Sequence, residues 1–257
     1  MEKLAKVSVI IPTMKGREEM LKRLISTIPP EHEIIVVDDE DLLLAAKRNK
    51  GARKATGDYL LFIDDDNYLE KHAIHNARIA FDSFDLINNG HSYTSRKNTA
   101  VVGLMACYDD KKGVVADGGS KRNYLTGFTK GINTNKNHSE VGEFPYEVDE
   151  IANAFMIPGS IFKKVGGLDE ENFPIDLDEA DFCKRIKNLG YKIVIAPWAV
   201  CYHNSITYSP IPNFRRPMNA YFMGRNRQNY QRKHLNALSY WVYLAFFFPL
   251  FVGFYSA

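Results

Sequence analysis

Three consecutive aspartates, Asp64, Asp65 and Asp66, end a run of five mostly apolar residues, Tyr59–Ile63. A continuous apolar run of this length indicates a strand buried on both faces, as in a parallel sheet. Because side chains alternate along an extended chain, Asp64 and Asp66 point to the same side and Asp65 to the other. Two carboxylates at the carboxyl end of a strand form an oxygen-rich site that suits Mg²⁺ or Mn²⁺ holding a phosphate.

The alternative is a purely structural acidic turn. In that interpretation Asp64 or Asp66 caps the helix that follows the strand. Burying the three carboxylates would be costly unless a metal or another cation neutralises them. The acidic stretch by itself leaves both interpretations open.

The first third of the chain alternates between predicted strands and helices. Strands are predicted over Lys6–Ile11, Glu33–Val37 and Tyr59–Ile63, and the second and third helices over Leu42–Thr56 and about Leu69–Phe81. This order predicts a parallel sheet with right-handed crossovers. Polar residues follow each strand, so Thr13, Asp38, Asp39 and the acidic stretch are expected to face one crevice.

Three cations on the second helix, Lys47, Arg48 and Lys50, precede the acidic strand. Cations beside metal-binding acids suit a diphosphate ligand. The alternative is a solvated helix face, which we expect for at least two of the three. The chain has neither a G-x-G-x-x-G loop nor a Walker motif, which argues against a dinucleotide-binding dehydrogenase and a P-loop enzyme.

Length, charge and cysteine content narrow the class of protein further. The 257 residues fit one large domain or somewhat more. The 33 basic and 31 acidic residues are nearly balanced, so we expect no nucleic-acid partner. Three cysteines without paired spacing suit a reducing compartment, and the N-terminus leads directly into a strand, so no signal peptide is expected.

Three segments taken together resemble the family 2 glycosyltransferases: VSVIIPT, EIIVVDDE and AKRNKGARKATGDYLLFIDDD. That family consists of inverting enzymes with the GT-A fold that use nucleotide-sugar donors. The resemblance implies that the donor lies beside Pro12, Thr13, Asp39, Arg48, Asn49, Asp64 and Asp65. It also implies that Asp64 and Asp66 are the Asp-X-Asp (DXD) pair that contacts the ribose and holds the divalent metal.

A second acidic cluster begins the predicted helix Phe182–Leu189. Together with the preceding Gly166–Glu170, it is similar to the family segment that supplies a general base, although Asp178-Glu179 stands where Glu-Asp is usual. The resemblance implies that Glu179 or Asp178 takes the proton of the acceptor hydroxyl, and both remain candidates. The alternative is a structural role at the start of the helix. Asp178 would then be the N-cap, and Asp181 would stabilise the positive end of the helix dipole and pair with Arg185.

Further strands are predicted over 85–89, 100–106 and 191–196, the last followed by Pro197. His203 ends an apolar segment and is either a structural residue or, by the resemblance, a residue near the metal or diphosphate. The polar segment 109–137 resembles an acceptor loop of the rhamnosyltransferase-like branch. A mobile surface loop is the alternative.

The C-terminal segment Leu235–Ala257 carries no charge and follows a basic cluster that includes Arg225 and Arg232. It is long enough to cross a bilayer, although Pro249 would kink a helix. We expect membrane association, either spanning or lying flat, rather than a buried core helix. The basic flank predicts a catalytic domain at the cytoplasmic face of the cell membrane.

These observations predict a GT-A α/β/α sandwich with a mostly parallel sheet and a C-terminal apolar membrane-associated helical segment. The catalytic domain spans 1–220, with a nucleotide-sugar half at 1–67 and an acceptor half at 68–220, and 221–257 is the membrane-associated segment. The predicted reaction is Mg²⁺- or Mn²⁺-dependent, inverting transfer of a hexose or deoxyhexose from a UDP-, GDP- or dTDP-sugar to a glycan or lipid-linked acceptor. The alternatives are an inactive membrane-tethered nucleotide-sugar-binding protein and a nucleotidyltransferase, which usually shows a glycine-rich loop after its first strand.

Overall fold

The computed structural model describes residues 5–88, 98–111, 113–204 and 215–251. The strands are β1 Val7–Pro12, β2 Glu33–Val37, β3 Tyr59–Ile63, β4 Asn67–Leu69, β5 Thr99–Tyr108, β6 Val115–Asp117, β7 Ser120–Arg122, β8 Thr129–Gly131, β9 Tyr146–Glu147, β10 Ala154–Pro158 and β11 Lys192–His203. The helices are α1 Glu18–Ser26, α2 Leu44–Lys54, α3 Ala73–Asn88, α4 Gly159–Val165, α5 Asp178–Asn188, α6 Arg215–His234 and α7 Ala237–Val242.

The central sheet has the strand order β2-β1-β3-β10-β5-β11-β4. Its strands β2, β1, β3, β5 and β11 run in one direction, whereas β10 and β4 run in the opposite direction. The predicted mostly parallel sheet is therefore confirmed. The parallel edge β2-β1-β3 places the carboxyl ends of three strands side by side, as the predicted crevice requires.

Alternating side chains of the buried strands form two cores, one on each face of the sheet. On β1, Val9 and Ile11 pack in a cluster with Leu24 of α1 and Ala77 of α3. Ile10 packs in the other cluster, which also contains side chains of α2, α4 and α5. Helices thus cover both faces, and this explains why β1 and β3 are apolar throughout instead of alternating with polar residues.

The predicted strand over 85–89 is wrong for the residues that the structure describes. Helix α3 continues from Ala73 to Asn88, and Asn89 lies outside the described residues. No glycine or proline interrupts that stretch, so a helix that has started can extend through it. The helix also begins later than predicted, because Leu69 belongs to β4, which pairs with the end of β11.

Strand β11 runs past Pro197, where the sequence predicted a break. Its register against β5 shifts between Ala196 and Val200. The shift accommodates a proline that cannot donate a hydrogen bond to the neighbouring strand. Beyond it the strand pairs with β4, and His203 faces Asn67 across the antiparallel ladder.

The polar segment 109–137 contains regular structure. Strand β6 pairs with β5, and β7 and β8 form a separate two-stranded sheet. Its residue 112 lies outside the described part of the chain. The segment is thus anchored to the central sheet at the strand that leads into the crevice.

Helix α6 is joined to α5 through Asp181, which is fully buried. The Asp181 carboxylate accepts from Arg185 Nε at 2.8 Å and from His234 Nε2 at 2.8 Å, and Lys233 Nζ lies 2.7 Å away. Burial opposes ionisation, but His234, Arg185 and Lys233 outweigh it and lower the pKa of Asp181 to about 2. The predicted Arg185 partner is confirmed, and Asp181 fastens one helix to the other.

The C-terminal part continues from α7 into a π-helical stretch, Tyr243–Phe247. Within the ranges that the structure describes, no helix is both long and apolar enough to cross a membrane. The last residues of the predicted membrane-associated segment, 252–257, lie outside those ranges.

Candidate active site

The acidic stretch after β3 lies beside the loop after β1, and Asp65 connects the two. Asp65 is 2% exposed, accepts a 2.6 Å hydrogen bond from Thr13 Oγ1, and is ion-paired with Arg17. Arg17 also approaches Asp66, with 3.5 Å between Nη1 and Oδ2. Asp65 therefore fixes the loop that carries Thr13, and Arg17 bridges Asp65 and Asp66. Because β3 ends at Ile63, the three aspartates lie in a turn and the strand alternation predicted for them does not extend this far.

Arg48 forms the centre of the site. Its side chain is fully buried, and its guanidinium contacts three carboxylates: Nη2 lies 2.8 Å from Asp64, and Nη1 lies 2.7 Å from Asp178 and 2.6 Å from Glu179. One positive charge thus faces three acidic groups, an arrangement that favours protonation of part of the cluster. Burial raises the pKa of Asp64 to about 6, against the opposing effect of Arg48.

Asp178 and Glu179 differ in exposure and in protonation. Asp178 is fully buried and its Oδ1 has no hydrogen-bond partner, whereas 15% of the Glu179 side chain is exposed. Burial and the neighbouring Glu179 raise the pKa of Asp178 well above its usual range. For Glu179, burial acts in the same direction, but Arg48 outweighs it and the pKa is lowered. The ionised form is therefore favoured at Glu179 and disfavoured at Asp178.

The backbone before α5 is strained to present these acids. Asp176 and Leu177 both adopt a φ of 61°, in the left-handed region, at a cost on the order of 1 kcal/mol each. The buried Asn226 of α6 stabilises this turn, because its Nδ2 donates to the carbonyl oxygens of Ile175 and Asp176 at 2.6 and 2.9 Å. Asp178 is the first residue of the helix and not its N-cap, which corrects the alternative considered above.

Asp66 and His203 are the residues whose placement fits a metal. His203 Nε2 lies 3.7 Å from Asp66 Oδ1, and the two side chains are 26% and 21% exposed. Imidazole nitrogen and carboxylate oxygen both suit Mn²⁺, and a wholly oxygen-bound Mg²⁺ suits the histidine less well. In the described part of the chain, no three acidic, histidine or cysteine side chains cluster as a complete site. The pair would therefore leave coordination positions for phosphate oxygens and water.

Two predicted donor residues lie away from this cluster. Asn49 donates to the Leu168 carbonyl at 2.8 Å and to Glu170 at 2.6 Å, so it holds the glycine-rich segment before α5. Asp39 is ion-paired with Lys50 at 2.5 Å beyond the end of β2. Pro12 ends β1 and leads into Thr13 at the crevice.

The predicted solvated face of α2 is wrong. Lys47 is 5% exposed and its Nζ donates to the Thr13 carbonyl at 2.6 Å, while Arg48 is not exposed at all. Lys50 is paired with Asp39. The sequence pattern could not show this, because the groups that bind these cations come from distant parts of the chain, namely the loops after β1 and β3 and helix α5.

Three residues of the site were not singled out from the sequence: Arg17, Asp117 and Asn226. Arg17 follows β1, and Asp117 precedes the two glycines after β6, so position after a strand was an available signal for both. Asn226 lies in a polar helix and carries no comparable signal.

The fold and the site together define a GT-A-like α/β protein. The mannosyltransferase PcManGT from Pyrobaculum calidifontis, solved with GDP-Man and Mn²⁺, is similar over 98% of this chain and 73% of its own, with a TM-score of 0.57 and 14% identity. GalNAc-T7, solved with UDP, GalNAc and Mn²⁺, is similar over 79% of this chain with a TM-score of 0.55 and 14% identity; the match spans 44% of that protein.

The chain belongs to the glycosyltransferase-like family 2, whose family model matches residues 5–235. This match confirms the resemblance to family 2 seen in the sequence. No curated protein sequence matches this chain.

Proposed function

We propose that the protein is a metal-dependent, inverting glycosyltransferase that moves a sugar from a nucleoside-diphosphate donor to an acceptor hydroxyl. The observation that carries this proposal is the Arg48 cluster, in which one buried guanidinium joins Asp64 of the acidic stretch to Glu179 on α5. The acidic stretch, where the donor is proposed to bind, and a candidate base are thereby held at a fixed separation. The nucleotides and Mn²⁺ in the two similar structures support the same chemistry.

In the proposed reaction, the donor diphosphate lies beyond the ends of β1 and β3. Asp66 and His203, with Asp64 nearby, would hold a divalent metal, which offsets the negative charge that develops on the leaving diphosphate. Arg17, already beside the acids, adds a second positive charge at this position.

We assign Glu179 as the general base. It is ionised and part of its carboxylate reaches the crevice, so it can accept the proton of an acceptor hydroxyl as that oxygen attacks the anomeric carbon. Asp178 is buried and its neutral form is favoured, which suits a role in holding Arg48. Attack from the face opposite the diphosphate inverts the anomeric centre.

We propose a UDP-, GDP- or dTDP-linked hexose or deoxyhexose as the donor and a glycan or lipid-linked molecule as the acceptor. The acceptor is proposed to contact the rhamnosyltransferase-like segment 109–137. An inactive nucleotide-sugar-binding protein would not need an ionised carboxylate at Glu179, and a nucleotidyltransferase is disfavoured by the short loop after β1.

Asp66→Ala is expected to abolish metal-dependent donor binding, because it removes the carboxylate of the proposed metal pair. The measurement is calorimetric titration of UDP-, GDP- and dTDP-sugars, each with and without Mn²⁺. Asp110→Ala, at an exposed aspartate, is the control and should bind like the wild type. Donor affinity that is the same with and without Mn²⁺, and the same in the wild type and in Asp66→Ala, would contradict the metal site.

We further propose that the C-terminal helical part lies on the cytoplasmic face of a membrane. Leu238, Trp241, Phe246 and Leu250 are 77%, 68%, 68% and 59% exposed, and the exposed Arg232 lies at the end of the preceding helix. Apolar side chains beside a cation suit an anionic bilayer surface.

Trp241→Ser combined with Phe246→Ser is expected to abolish co-sedimentation with vesicles that contain phosphatidylglycerol. Phe144→Ser, which changes an exposed phenylalanine elsewhere, is the matched control. Equal vesicle binding by the double variant and the wild type would rule out this surface.

A further inference from the structure

Asp117, the last residue of β6, is an acidic residue of the crevice that the proposed chemistry leaves without a role. It pairs with Ala106 of β5, and Ala106 in turn pairs with Cys201 of β11. Cys201 lies two residues before His203, so Asp117 is placed at the same edge of the sheet as the proposed metal pair.

The carboxylate of Asp117 is linked to the acidic stretch through Asn153. Its Oδ1 accepts a 2.8 Å hydrogen bond from the Gly119 amide, and its Oδ2 accepts a longer one, 3.3 Å, from Asn153 Nδ2. The carbonyl of Asn153 accepts from the Asp64 amide at 3.2 Å. Asn153 adopts a φ of 62°, so strained backbone holds the residue that connects the two acids.

The two glycines after Asp117 fix its position. A Cβ on Gly118 would lie 2.4 Å from the Ile132 carbonyl oxygen and 2.8 Å from the Tyr146 hydroxyl. Gly119 has a φ of 76°, which side chains rarely tolerate. A side chain is therefore excluded at Gly118 and disfavoured at Gly119, and the two glycines allow the tight turn that follows Asp117.

In the described part of the chain, no lysine or arginine forms an ion pair with Asp117. Other partly buried acids differ in this respect, since Asp149 and Asp169 are each paired with a lysine. Burial raises the pKa of Asp117, and the charge of Glu179 acts in the same direction, while His203 opposes it. The carboxylate accepts hydrogen bonds from Gly119 and Asn153 but has no cation beside it, so hydroxyl donors of a ligand would further stabilise its ionised form.

We propose that Asp117 is a sugar-binding residue that accepts hydrogen bonds from hydroxyl groups of the saccharide at the reacting centre. Its position at the end of β6, at the same sheet edge as the proposed metal pair and linked to Asp64 through Asn153, places it beside the proposed diphosphate position. The ligand is a polyol, and the hydroxyls belong to either the donor sugar or the acceptor. This inference rests on the proposed function.

The test compares Asp117→Asn with Asp58→Asn, an exposed aspartate at the amino end of β3, in the presence of Mn²⁺. The probes are UDP, GDP and dTDP, their glucose, galactose, mannose and rhamnose conjugates, and p-nitrophenyl glycosides as acceptors. Calorimetry measures affinity, and nucleotide release measures turnover. Asparagine keeps the size of the side chain and one acceptor oxygen for the Gly119 amide, while the charge and the second acceptor oxygen are replaced by an amide NH₂ group.

Loss of hydrogen bonds to a charged acceptor should weaken sugar binding about ten- to a hundredfold. If the donor supplies the hydroxyls, Asp117→Asn binds the conjugate more weakly by that factor and the free nucleoside diphosphate normally. If the acceptor supplies them, donor affinity is unchanged and the acceptor KM rises by that factor. Wild-type protein assayed with a deoxy analogue should lose the same factor, and Asp117→Asn should not distinguish the analogue from its parent.

Four results would overturn the inference. Unchanged donor affinity and acceptor KM in Asp117→Asn would show that Asp117 does not bind the sugar, and would leave the proposed function standing. If Asp117→Asn weakened the affinity for the free nucleoside diphosphate and for its sugar conjugate equally, Asp117 would have a structural role. The same conclusion would follow if no deoxy analogue bound the wild type more weakly than its parent sugar. A wild type that binds none of the nucleotides would overturn the proposed function, and this inference with it.

Discussion

Glu179→Gln is expected to lower kcat by about 10²- to 10⁴-fold, the usual contribution of a general base. Glutamine keeps the shape of the side chain and can still accept from Arg48, but it cannot take a proton from the acceptor. Donor affinity should change little, because the donor is proposed to bind on the Asp64 side of Arg48, away from Glu179. The measurements are nucleotide release under saturating substrates and calorimetric affinity for the donor.

Asp178→Asn is the matched control for Glu179→Gln. Burial and the neighbouring Glu179 raise the pKa of Asp178 and favour its neutral form, which asparagine resembles in shape and hydrogen bonding. We therefore expect Asp178→Asn to retain most of the wild-type turnover. A large loss in Asp178→Asn together with full activity in Glu179→Gln would assign the base to Asp178 instead.

The same pair of variants tests whether the protein is catalytic at all. A wild type that binds a nucleotide sugar but releases nucleotide no faster than either variant would support the inactive binding protein. A wild type that turns over, with Glu179→Gln alone impaired, supports the transferase.

Arg48→Met is expected to destabilise the fold by about 3–5 kcal/mol, the usual cost of leaving buried charge without its partner. Methionine fills much of the same space, so the loss would reflect charge more than volume. Three carboxylates, those of Asp64, Asp178 and Glu179, would lose the guanidinium that lies 2.6–2.8 Å from them. The measurement is the free energy of unfolding from urea denaturation.

Lys50→Met is the control for Arg48→Met. Lys50 lies on the same helix and forms an ion pair with Asp39, but the two side chains are 33% and 36% exposed. Exposed pairs contribute little, so we expect a change below about 1 kcal/mol. Equal destabilisation by the two variants would show that loss of charge on α2, and not the buried cluster, is responsible.

The loss in Arg48→Met should also depend on pH. Without the guanidinium, the pKa values of Asp64 and Asp178 rise further above their unfolded values and Glu179 loses the cation that lowers its pKa, so the folded state binds more protons than the unfolded state. Stability then falls as pH rises through those folded pKa values. Arg48→Met should therefore be less destabilised at pH 5 than at pH 8. A loss that is the same at both values would contradict the assignment of these carboxylates to one buried cluster.

The sequence by itself determined the order of strands and helices at the parallel edge of the sheet. It also determined the acidic ends of the strands. These features follow from local periodicity, because a buried strand is apolar throughout and its side chains alternate. The family resemblance rested on the same short segments and is confirmed over residues 5–235.

Only the tertiary structure decided which acidic residue is ionised and which cations are buried. Arg48 meets Asp178 and Glu179 across 130 and 131 residues of sequence, and His203 reaches Asp66 only because β11 continues past Pro197 and pairs with β4. Burial and charge at such positions depend on groups brought together from distant parts of the chain. A pattern read along the sequence contains the residues, but the free energy of ionising them is set by neighbours that only the fold supplies.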